Sequence, residues 1–590
     1  MTLVLPSSPQ TYSEGFFQGA AATEGLFGGN LLASRGILTG PGSYDEAING
    51  LGITGLRYPG GSLTEEYFDI TNPDATTATS HFTGETTDFI PISEFLAYAK
   101  ANGQEATIVV PTYSQLGEAD ENGDRLSNIH EANLREFVHD VATGVYGEAP
   151  IGAIEIGNEY WGSGLMNAVE YGRLSSEMAL IIDDELQAVT EEYGIQTDQI
   201  GVLVQAGFNF GTSQISDEYV GWDSHDVIDD LVAKHPTAVL SYDNIRANGN
   251  VNWGVVNNEL ILMSYDTPEK MAAVDGVLGH IYTHGIESDD NGTFQLDTMR
   301  NSWLEKDGFE DLRIHITEWN QKSTKGLDRD EDYGLFQAHE MLEILESFMA
   351  AEVKQAFVWP LIQNTSNTLS TGKEYSGPTA PGEMFSMMSE NLPGKVAIDF
   401  TPGGVRDTEY EGSTVDVHAF AGQGDMVFYI ASTASEAAVT DIDLSNLVAG
   451  YDAMDIRVLG VMPGESPGNT RSDVDIQQLN ADDIFQDGIL EVDLDEGEIM
   501  QVVIQGIQPT ESFAPTLDAI DAAELGDEPV IVGDELPVIS IDELPVISID
   551  ELVVPVEEAE DIDDQADGGL GDLAFLIGLL PILALFGLAA

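Results

Sequence analysis

The sequence contains no cysteine, and basic residues are scarce. Without cysteine the chain has no disulfide bonds, no thiolate metal sites and no cysteine nucleophile. Export is still compatible with this composition, because a chain of 590 residues can form its cores without covalent cross-links. Only 21 Lys and Arg oppose 103 Asp and Glu, which gives a formal net charge of -82. Such a charge disfavours nucleic acid and anionic membrane surfaces as partners, and a saline environment would screen its self-repulsion.

The two ends of the sequence differ in their targeting features. The N-terminus has no basic start followed by a long apolar run, so we expect no conventional signal peptide. Residues 573–590 are uncharged and almost wholly apolar, close to the roughly 18 residues that span a membrane, yet no Lys or Arg flanks them. We therefore expect an export or sorting signal there, with a membrane anchor and a buried or oligomer-forming helix as alternatives. An extracellular or cell-surface protein is predicted, while a cytoplasmic location and the oligomeric state stay open.

Short apolar runs alternate with helical patterns up to about residue 365. Eight β-then-α units of this kind favour an α/β fold, in which a closed parallel (β/α)8 TIM barrel spans residues 21–395. Segment 207–274 is too long for one crossover and is predicted to contain extra helices or a lid. Segment 361–395 is rich in Ser, Thr, Gly and Pro and is predicted to be a long loop. The eight predicted strands are 25–31, 53–58, 106–112, 153–157, 201–206, 275–282, 312–317 and 355–360.

The composition changes after the predicted barrel. Short alternating stretches over residues 396–507 predict an antiparallel β-sandwich, on which residues 1–20 are expected to pack. Residues 508–572 are acidic and carry no Lys or Arg, and the octapeptide DELPVISI occurs twice within them. This low complexity predicts a disordered acidic linker, which precedes the hydrophobic segment 573–590.

The first chemical signal is the segment IEIGNEYW, residues 154–161. An apolar strand ends there in Asn158 and Glu159. The carboxyl ends of barrel strands form the active sites of TIM barrels, so this carboxylate is a candidate for general acid/base chemistry. The amide of Asn158 can hydrogen-bond a hydroxyl group. A single glutamate at a strand end is also common in structural or solvated roles.

The second signal is IHITEWN, residues 314–320, where an apolar strand again ends in a carboxylate, Glu318. This is the seventh predicted strand, and Glu159 follows the fourth. Two carboxylates on these strand ends can face one sugar ring, and in retaining glycosidases such groups stand about 5–5.5 Å apart. The pair is therefore far more specific than either glutamate alone.

Together these segments resemble the clan A glycoside hydrolases, whose hallmark is Asn-Glu on strand four and Glu on strand seven. The segment LRYPGG, residues 56–61, is similar to the corresponding part of the α-L-arabinofuranosidase branch and its β-glucuronidase/heparanase-like relatives. The resemblance covers roughly residues 20–505 and implies a barrel followed by a β-sandwich. It further implies that Glu159 is the acid/base and Glu318 the nucleophile. By the same analogy, Asn158 contacts the 2-hydroxyl beside the scissile bond, and Arg57 lies near the nucleophile.

The sixth predicted strand ends in GHIYTH, residues 279–284. By period-two alternation, His280, Tyr282 and His284 share one face, and such a polar row is unusual for barrel core. We interpret it as a sugar-binding wall in which Tyr282 donates to Glu318, as clan members often arrange. A structural hydrogen-bonded cluster is the alternative. A zinc site from His280 and His284 is weakly supported, since no third ligand of matching spacing is evident.

Several further residues are candidates for sugar contacts. Trp359 ends strand eight and can stack on a sugar face or belong to the core. Trp161 and Trp319 follow the two carboxylates and serve either as platforms or as packing support. Asn30 ends strand one and is a lesser candidate for a hydroxyl contact. Glu155 lies deeper in strand four and is interpreted as a structural group paired inside the barrel.

These residues favour a retaining glycoside hydrolase that cleaves oligo- or polysaccharides by double displacement and needs no cofactor or metal. The alternative is a non-catalytic surface or secreted protein that binds polysaccharide on a degenerate barrel. A metal-dependent barrel hydrolase ranks third. Segments 207–274 and 361–395 depart from the family pattern and would shape the subsites, so the substrate of arabinofuranosidases does not transfer to this chain. The sugar, its anomer and the exo or endo mode do not follow from the sequence.

Overall fold

The computed structural model describes residues 2–5, 20–208, 214–286, 292–309, 311–324, 326–400 and 409–524. The predicted hydrophobic segment 573–590 and both octapeptide repeats lie outside these residues. Among the helices of the described ranges, none has the length and apolar character that crossing a membrane requires.

Eight parallel strands, β1 to β8, form a closed barrel in chain order, and β8 pairs with β1. Each predicted run coincides with one strand, so the predicted fold class is confirmed. The strands are β1 Gly28–Asn30, β2 Gly55–Tyr58, β3 Glu105–Val110, β4 Ile151–Ile156, β5 Gly201–Gln205, β6 Gly276–Thr283, β7 Arg313–Gln321 and β8 Gln355–Val358.

Helices cover the outside of the barrel, and the longer ones bury apolar residues against it. The helix Ile92–Asn102, for example, ends at Gly103, whose φ of 67° is the left-handed conformation that glycine adopts without strain. The α-helices of the barrel are Tyr44–Leu51, Leu63–Tyr67, Ile92–Asn102, Glu131–Ala142, Ala168–Tyr193, Ser224–Lys234, Trp253–Leu262, Pro268–Ala272, Thr293–Met299, Leu335–Ala350 and Ala380–Asn391. A π-helical turn, Arg300–Leu304, extends the ninth of these, and 3-10 turns lie at Glu24–Phe27, Tyr113–Gln115, Ile215–Tyr219 and Tyr242–Asn244.

The two long segments differ in how closely they follow the sequence-based prediction. Between β5 and β6 the described residues contain the three helices that begin at Ser224, Trp253 and Pro268, in line with the expected extra helices. The segment 361–395, predicted to be a loop, instead ends in the helix Ala380–Asn391. Its Pro381 lies in the first turn, where proline loses no helical hydrogen bond, and Thr379 caps the helix. Met384, Phe385 and Met388 bury its inner face.

The second unit is a β-sandwich of two main sheets. Thr2–Val4 pairs in parallel with Ala438–Asp443, so the start of the chain lies in this unit. The larger sheet contains Val396–Ala397, Tyr410–Glu411, Val415–Gly422, Asp425–Ser432, Ile499–Gln505, Ala453–Val461 and Val474–Leu479. The smaller sheet contains Thr2–Val4, Ala438–Asp443, Ile489–Leu494 and Phe485–Gln486, beside a short helix Ala481–Ile484.

The first part of the predicted linker is ordered. Gln508–Pro509 pairs with Val448–Gly450, and a helix follows at Ala514–Glu524. Phe513, Leu517 and Ile520 are buried in the sandwich core, which explains why this stretch is folded despite its acidic composition. The remainder of the predicted linker, from residue 525, lies outside the described residues.

Candidate active site

The loop that carries Glu159 leaves the carboxyl end of β4 in a constrained conformation. Gly157 and Glu159 have φ of 75° and 43°, and a positive φ is uncommon for any residue with a Cβ. Two side chains hold the loop from opposite sides. The backbone N–H of Asn158 donates to Glu65 (3.1 Å), and that of Tyr160 donates to Gln205 (3.1 Å). The direction of the Glu159 side chain is therefore fixed by neighbouring strands and loops.

Glu318 reaches the same end of the barrel through an irregularity in β7. The pairing of β6 with β7 shifts register between Gly279 and His280, so His280 lies opposite Glu318. Such bulges redirect side chains and are common next to active sites. Here the shift brings the imidazole of His280 beside the carboxylate of Glu318.

The carboxylates of Glu159 and Glu318 both lie close to the ring of His280. Nδ1 of His280 lies 3.2 Å from Oε1 of Glu159 and 3.6 Å from Oε2 of Glu318. One nitrogen or oxygen atom from each of the three side chains lies within 4.8 Å of the others. The exposed fraction of the side chain is 35% for Glu159 and 6% for Glu318, so the first borders the solvent and the second is enclosed.

Tyr282 donates a hydrogen bond of 2.8 Å to Oε2 of Glu318. Burial, followed by the charges of Glu318 and Glu159, raises the pKa of Tyr282 well above its ordinary value. The phenol therefore keeps its proton and remains a donor. This is the contact that the sequence resemblance implied.

Arg57 is fully buried at the centre of the barrel, and each of its five N–H groups has an acceptor. It binds Glu155 through two hydrogen bonds, of 2.8 and 2.6 Å, and Oε1 of Glu318 at 2.9 Å. Burial opposes the charge of Arg57, but Glu155 and Glu318 outweigh it and raise the pKa of the guanidinium. Arg57 thus links Glu155, inside the barrel, to Glu318, the candidate nucleophile at the carboxyl ends of the strands.

The two predicted amide contacts are engaged with the protein. Oδ1 of Asn30 accepts from Arg57 (2.9 Å), and its Nδ2 donates to the carbonyls of Thr317 and Phe357. Asn30 therefore supports the arginine from inside the barrel, which differs from the predicted hydroxyl contact. Oδ1 of Asn158 also accepts from Arg57 (2.8 Å), while its Nδ2 makes a long contact of 3.4 Å to Ser163. Because Oδ1 of Asn158 is bound to Arg57 and Nδ2 makes only a long contact, Nδ2 is the atom of this side chain that can donate to a substrate.

The three tryptophans occupy different positions. Trp359 is partly buried, and its ring lies on Gly61, where an added Cβ would be 2.6 Å from the ring. Trp161 is buried and meets the His280 ring edge-on, with centroids 6.5 Å apart. Trp319 is fully buried against Phe348 and Phe385, on the helix side of β7. Its predicted role as a platform is therefore wrong, because alternation along β7 points it away from Glu318; it has the packing role.

Contrary to the prediction, His284 does not lie with His280 and Tyr282 on one face of β6. The strand β6 ends at Thr283, so the period-two alternation stops before His284, which is exposed. The sequence suggested His280 and His284 as a weak zinc pair. Within the described residues, the side chains placed to hold a metal ion with His280 are Glu159 and Glu318 instead.

Two positioning residues escaped the sequence analysis. Glu65 accepts hydrogen bonds from the backbones of Thr112, Tyr113 and Asn158 and from the Thr112 hydroxyl. It lies in a short helix next to another glutamate, and nothing in the local pattern distinguishes it. Gln205 ends β5, so the rule that identified Glu159 and Glu318 could have found it.

The charge on His280 should make the stability of the site depend on pH. Burial lowers the pKa of His280, but Glu318 and Glu159 outweigh burial and raise it above its ordinary value. A folded-state pKa above the unfolded value of about 6.5 means that protonated His280 stabilises the fold below that pH. This contribution is lost as the pH rises through the folded-state pKa. We expect the stability advantage of the wild type over His280→Gln to shrink as the pH increases.

Urea unfolding of both proteins at a series of pH values measures this difference. His225→Gln makes the same replacement at an exposed histidine outside the site, and at acidic pH it should cost less unfolding free energy than His280→Gln. A His280→Gln difference that is constant, or that grows toward alkaline pH, would contradict the expectation.

Comparison with known proteins gives matches by structure only. No protein-family model and no curated protein matches the sequence. A family 51 α-L-arabinofuranosidase from Bifidobacterium longum is 13% identical, with a TM-score of 0.54 over 83% of this chain and 98% of that one. The α-L-arabinofuranosidase from Thermotoga maritima, solved as an arabinose complex, is 14% identical, with a TM-score of 0.53 over 85% and 98%. The family 51 arabinofuranosidase from Xanthomonas axonopodis pv. citri is 13% identical, with a TM-score of 0.51 over 83% and 98%. The chain therefore has the fold of these clan A enzymes, a (β/α)8 barrel followed by a β-sandwich, as the sequence resemblance implied.

Proposed function

We propose that this protein is a retaining glycoside hydrolase. The observation that carries the proposal is the short separation of the Glu159 and Glu318 carboxylates, which have oxygens within 4.8 Å of each other. Retaining enzymes hold their two carboxyl groups about 5–5.5 Å apart, whereas inverting enzymes need about 6.5–9.5 Å to admit a water molecule. The shorter distance favours direct attack by one carboxylate on the anomeric carbon.

The surroundings of the two glutamates assign their roles. Both oxygens of Glu318 accept hydrogen bonds, from Arg57 and Tyr282, and its side chain is enclosed. A carboxylate held in this way has a fixed attacking direction, as a nucleophile requires. Glu159 borders the solvent, where it can give a proton to a leaving group and later take one from water.

The reaction then has two steps. In the first, Glu318 attacks the anomeric carbon while the bond to the leaving oxygen breaks, and Glu159 gives its proton to that oxygen. In the second, Glu159 removes a proton from water, whose oxygen attacks the anomeric carbon and releases Glu318. Each step inverts the anomeric centre, so the product keeps the configuration of the substrate.

The substrate class follows only from structural similarity. The three enzymes with this fold are arabinofuranosidases by name, so we propose α-L-arabinofuranosides as the first glycosides to test. Other furanosides and pyranosides of oligo- and polysaccharides belong in the same panel, because identities of 13–14% establish the fold and leave the glycone open.

Mechanism-based 2-fluoroglycosides of several sugars, followed by peptide mapping, test the proposal. They accumulate the glycosyl-enzyme, so we expect one label per chain, on the peptide that contains Glu318. The sugar that labels fastest identifies the glycone. A label on another residue would refute the assignment. Binding of glycans without turnover or labelling would favour the alternative, a polysaccharide-binding protein on a degenerate barrel.

A further inference from the structure

A second group of titratable side chains lies between the barrel and the β-sandwich. His339 and Glu346 belong to the barrel helix Leu335–Ala350, while His418 lies in the sandwich strand Val415–Gly422. Glu409 directly precedes the short strand Tyr410–Glu411, which pairs with that of His418. His339, Glu346 and His418 are buried, and Glu409 is half-buried. The proposed catalytic mechanism uses none of these residues.

The geometry of the group converges on one point. Nδ1 of His418 lies 2.8 Å from Oε2 of Glu346. One nitrogen or oxygen atom from each of Glu346, Glu409 and His418 lies within 4.8 Å of the others. Two ligands on opposite sides of one ion lie about 4.4 Å apart, because metal–ligand bonds are about 2.0–2.2 Å long. Small side-chain movements would therefore let all three atoms bind one ion.

The other ring nitrogen of His418 has a partner of its own. Its Nε2 lies 3.1 Å from Nε2 of His339. If Nε2 of His418 carries the proton, it donates to His339, and the lone pair of Nδ1 points toward the two glutamates. A hydrogen bond on the far nitrogen is the usual way in which proteins orient a metal-binding histidine.

Two carboxylates close together in a buried interface lose hydration and repel each other. A divalent cation compensates both charges, and a set of one imidazole and two carboxylates suits zinc or manganese. We propose that Glu346, Glu409 and His418 bind one divalent transition-metal ion, with His339 orienting His418. Such an ion would join the helix after β7 to the sandwich, and would thus fix the position of one unit on the other.

Titration of the chelator-treated protein with Zn²⁺, and separately with Mn²⁺, tests this inference. We expect one ion to bind per chain at the interface, and the midpoint temperature of unfolding to rise on binding. Glu409→Gln should weaken binding at least tenfold and abolish the metal-dependent rise in this temperature. The rise on metal binding is measured for each protein against its own metal-free unfolding temperature, so a change in the stability of the metal-free variant does not affect the comparison.

The active site offers a second possible metal group, so Glu318→Gln is the matched control. We expect it to bind the interface ion as tightly as the wild type. The inference is overturned if neither metal binds, if Glu409→Gln binds as tightly as the wild type, or if Glu318→Gln abolishes binding. Loss of binding in Glu318→Gln would place the ion in the active site and would also weigh against the proposed glycosidase mechanism, whereas the other two results leave that mechanism to the labelling experiment.

Discussion

Glu318→Gln should reduce turnover by about 10⁵-fold, in the range seen when a catalytic nucleophile is removed. The amide keeps the shape of the side chain and an oxygen for Arg57 or Tyr282, so the barrel should fold normally. It cannot form the covalent intermediate, however, because a neutral amide is a poor nucleophile. Initial rates on aryl glycosides of the glycone found by labelling measure the effect.

Two further variants test whether the loss of activity is due to the missing nucleophile. Glu305→Gln alters an exposed glutamate and should retain wild-type rates. In Glu318→Ala the missing carboxylate leaves space in which azide can attack the anomeric carbon. We expect azide to restore turnover and to give a glycosyl azide of inverted configuration. A Glu318→Gln protein with more than a tenth of wild-type activity would exclude this residue as the nucleophile.

Arg57→Met should cause the largest loss of stability of any single substitution in the site. Methionine fills a similar volume but leaves Glu155 buried without its cation, and removing one partner of a buried pair costs about 3–5 kcal/mol. Activity should fall as well, since Glu318 loses its contact of 2.9 Å with the guanidinium. Urea unfolding, followed by intrinsic fluorescence, measures the free energy of unfolding.

Arg135→Met provides the surface comparison. Arg135 forms ion pairs with Glu131 and Asp184, whose side chains are about half exposed, and a longer one of 3.5 Å with the less exposed Glu185, while its own side chain is partly exposed. Exposed pairs contribute about 1 kcal/mol or less, so this variant should unfold close to the wild type. Equal losses in both variants would show that the buried network is not what stabilises the barrel.

Much of the fold and the central pair of the site could be predicted because both depend on local regularities. Apolar runs of strand length recur with helical patterns between them, and the carboxyl ends of parallel strands meet at one face of the barrel. Glu159 and Glu318 each follow such a run, so counting the strands is enough to predict that the two carboxylates lie close together. The same reasoning assigned Glu155 to the interior, where it pairs with Arg57.

The remaining features depend on irregularities that periodicity does not reveal. The register shift at Gly279 and His280 decides which ring meets Glu318, and the end of β6 at Thr283 leaves His284 outside the group. Glu65 reaches Asn158 from a loop helix, through contacts set by tertiary structure alone. The group around His418 joins two units of the chain, and no spacing along the sequence relates its members.

The parallel pairing of Leu3 with Ile442 has a consequence for biogenesis. During synthesis, the first strand of the smaller sheet leaves the ribosome long before its partner exists. It must therefore stay unpaired while the whole barrel is made, and closing so distant a contact is entropically costly. Deletion of Thr2–Val4 is consequently expected to disturb the β-sandwich, which folds last, more than the barrel.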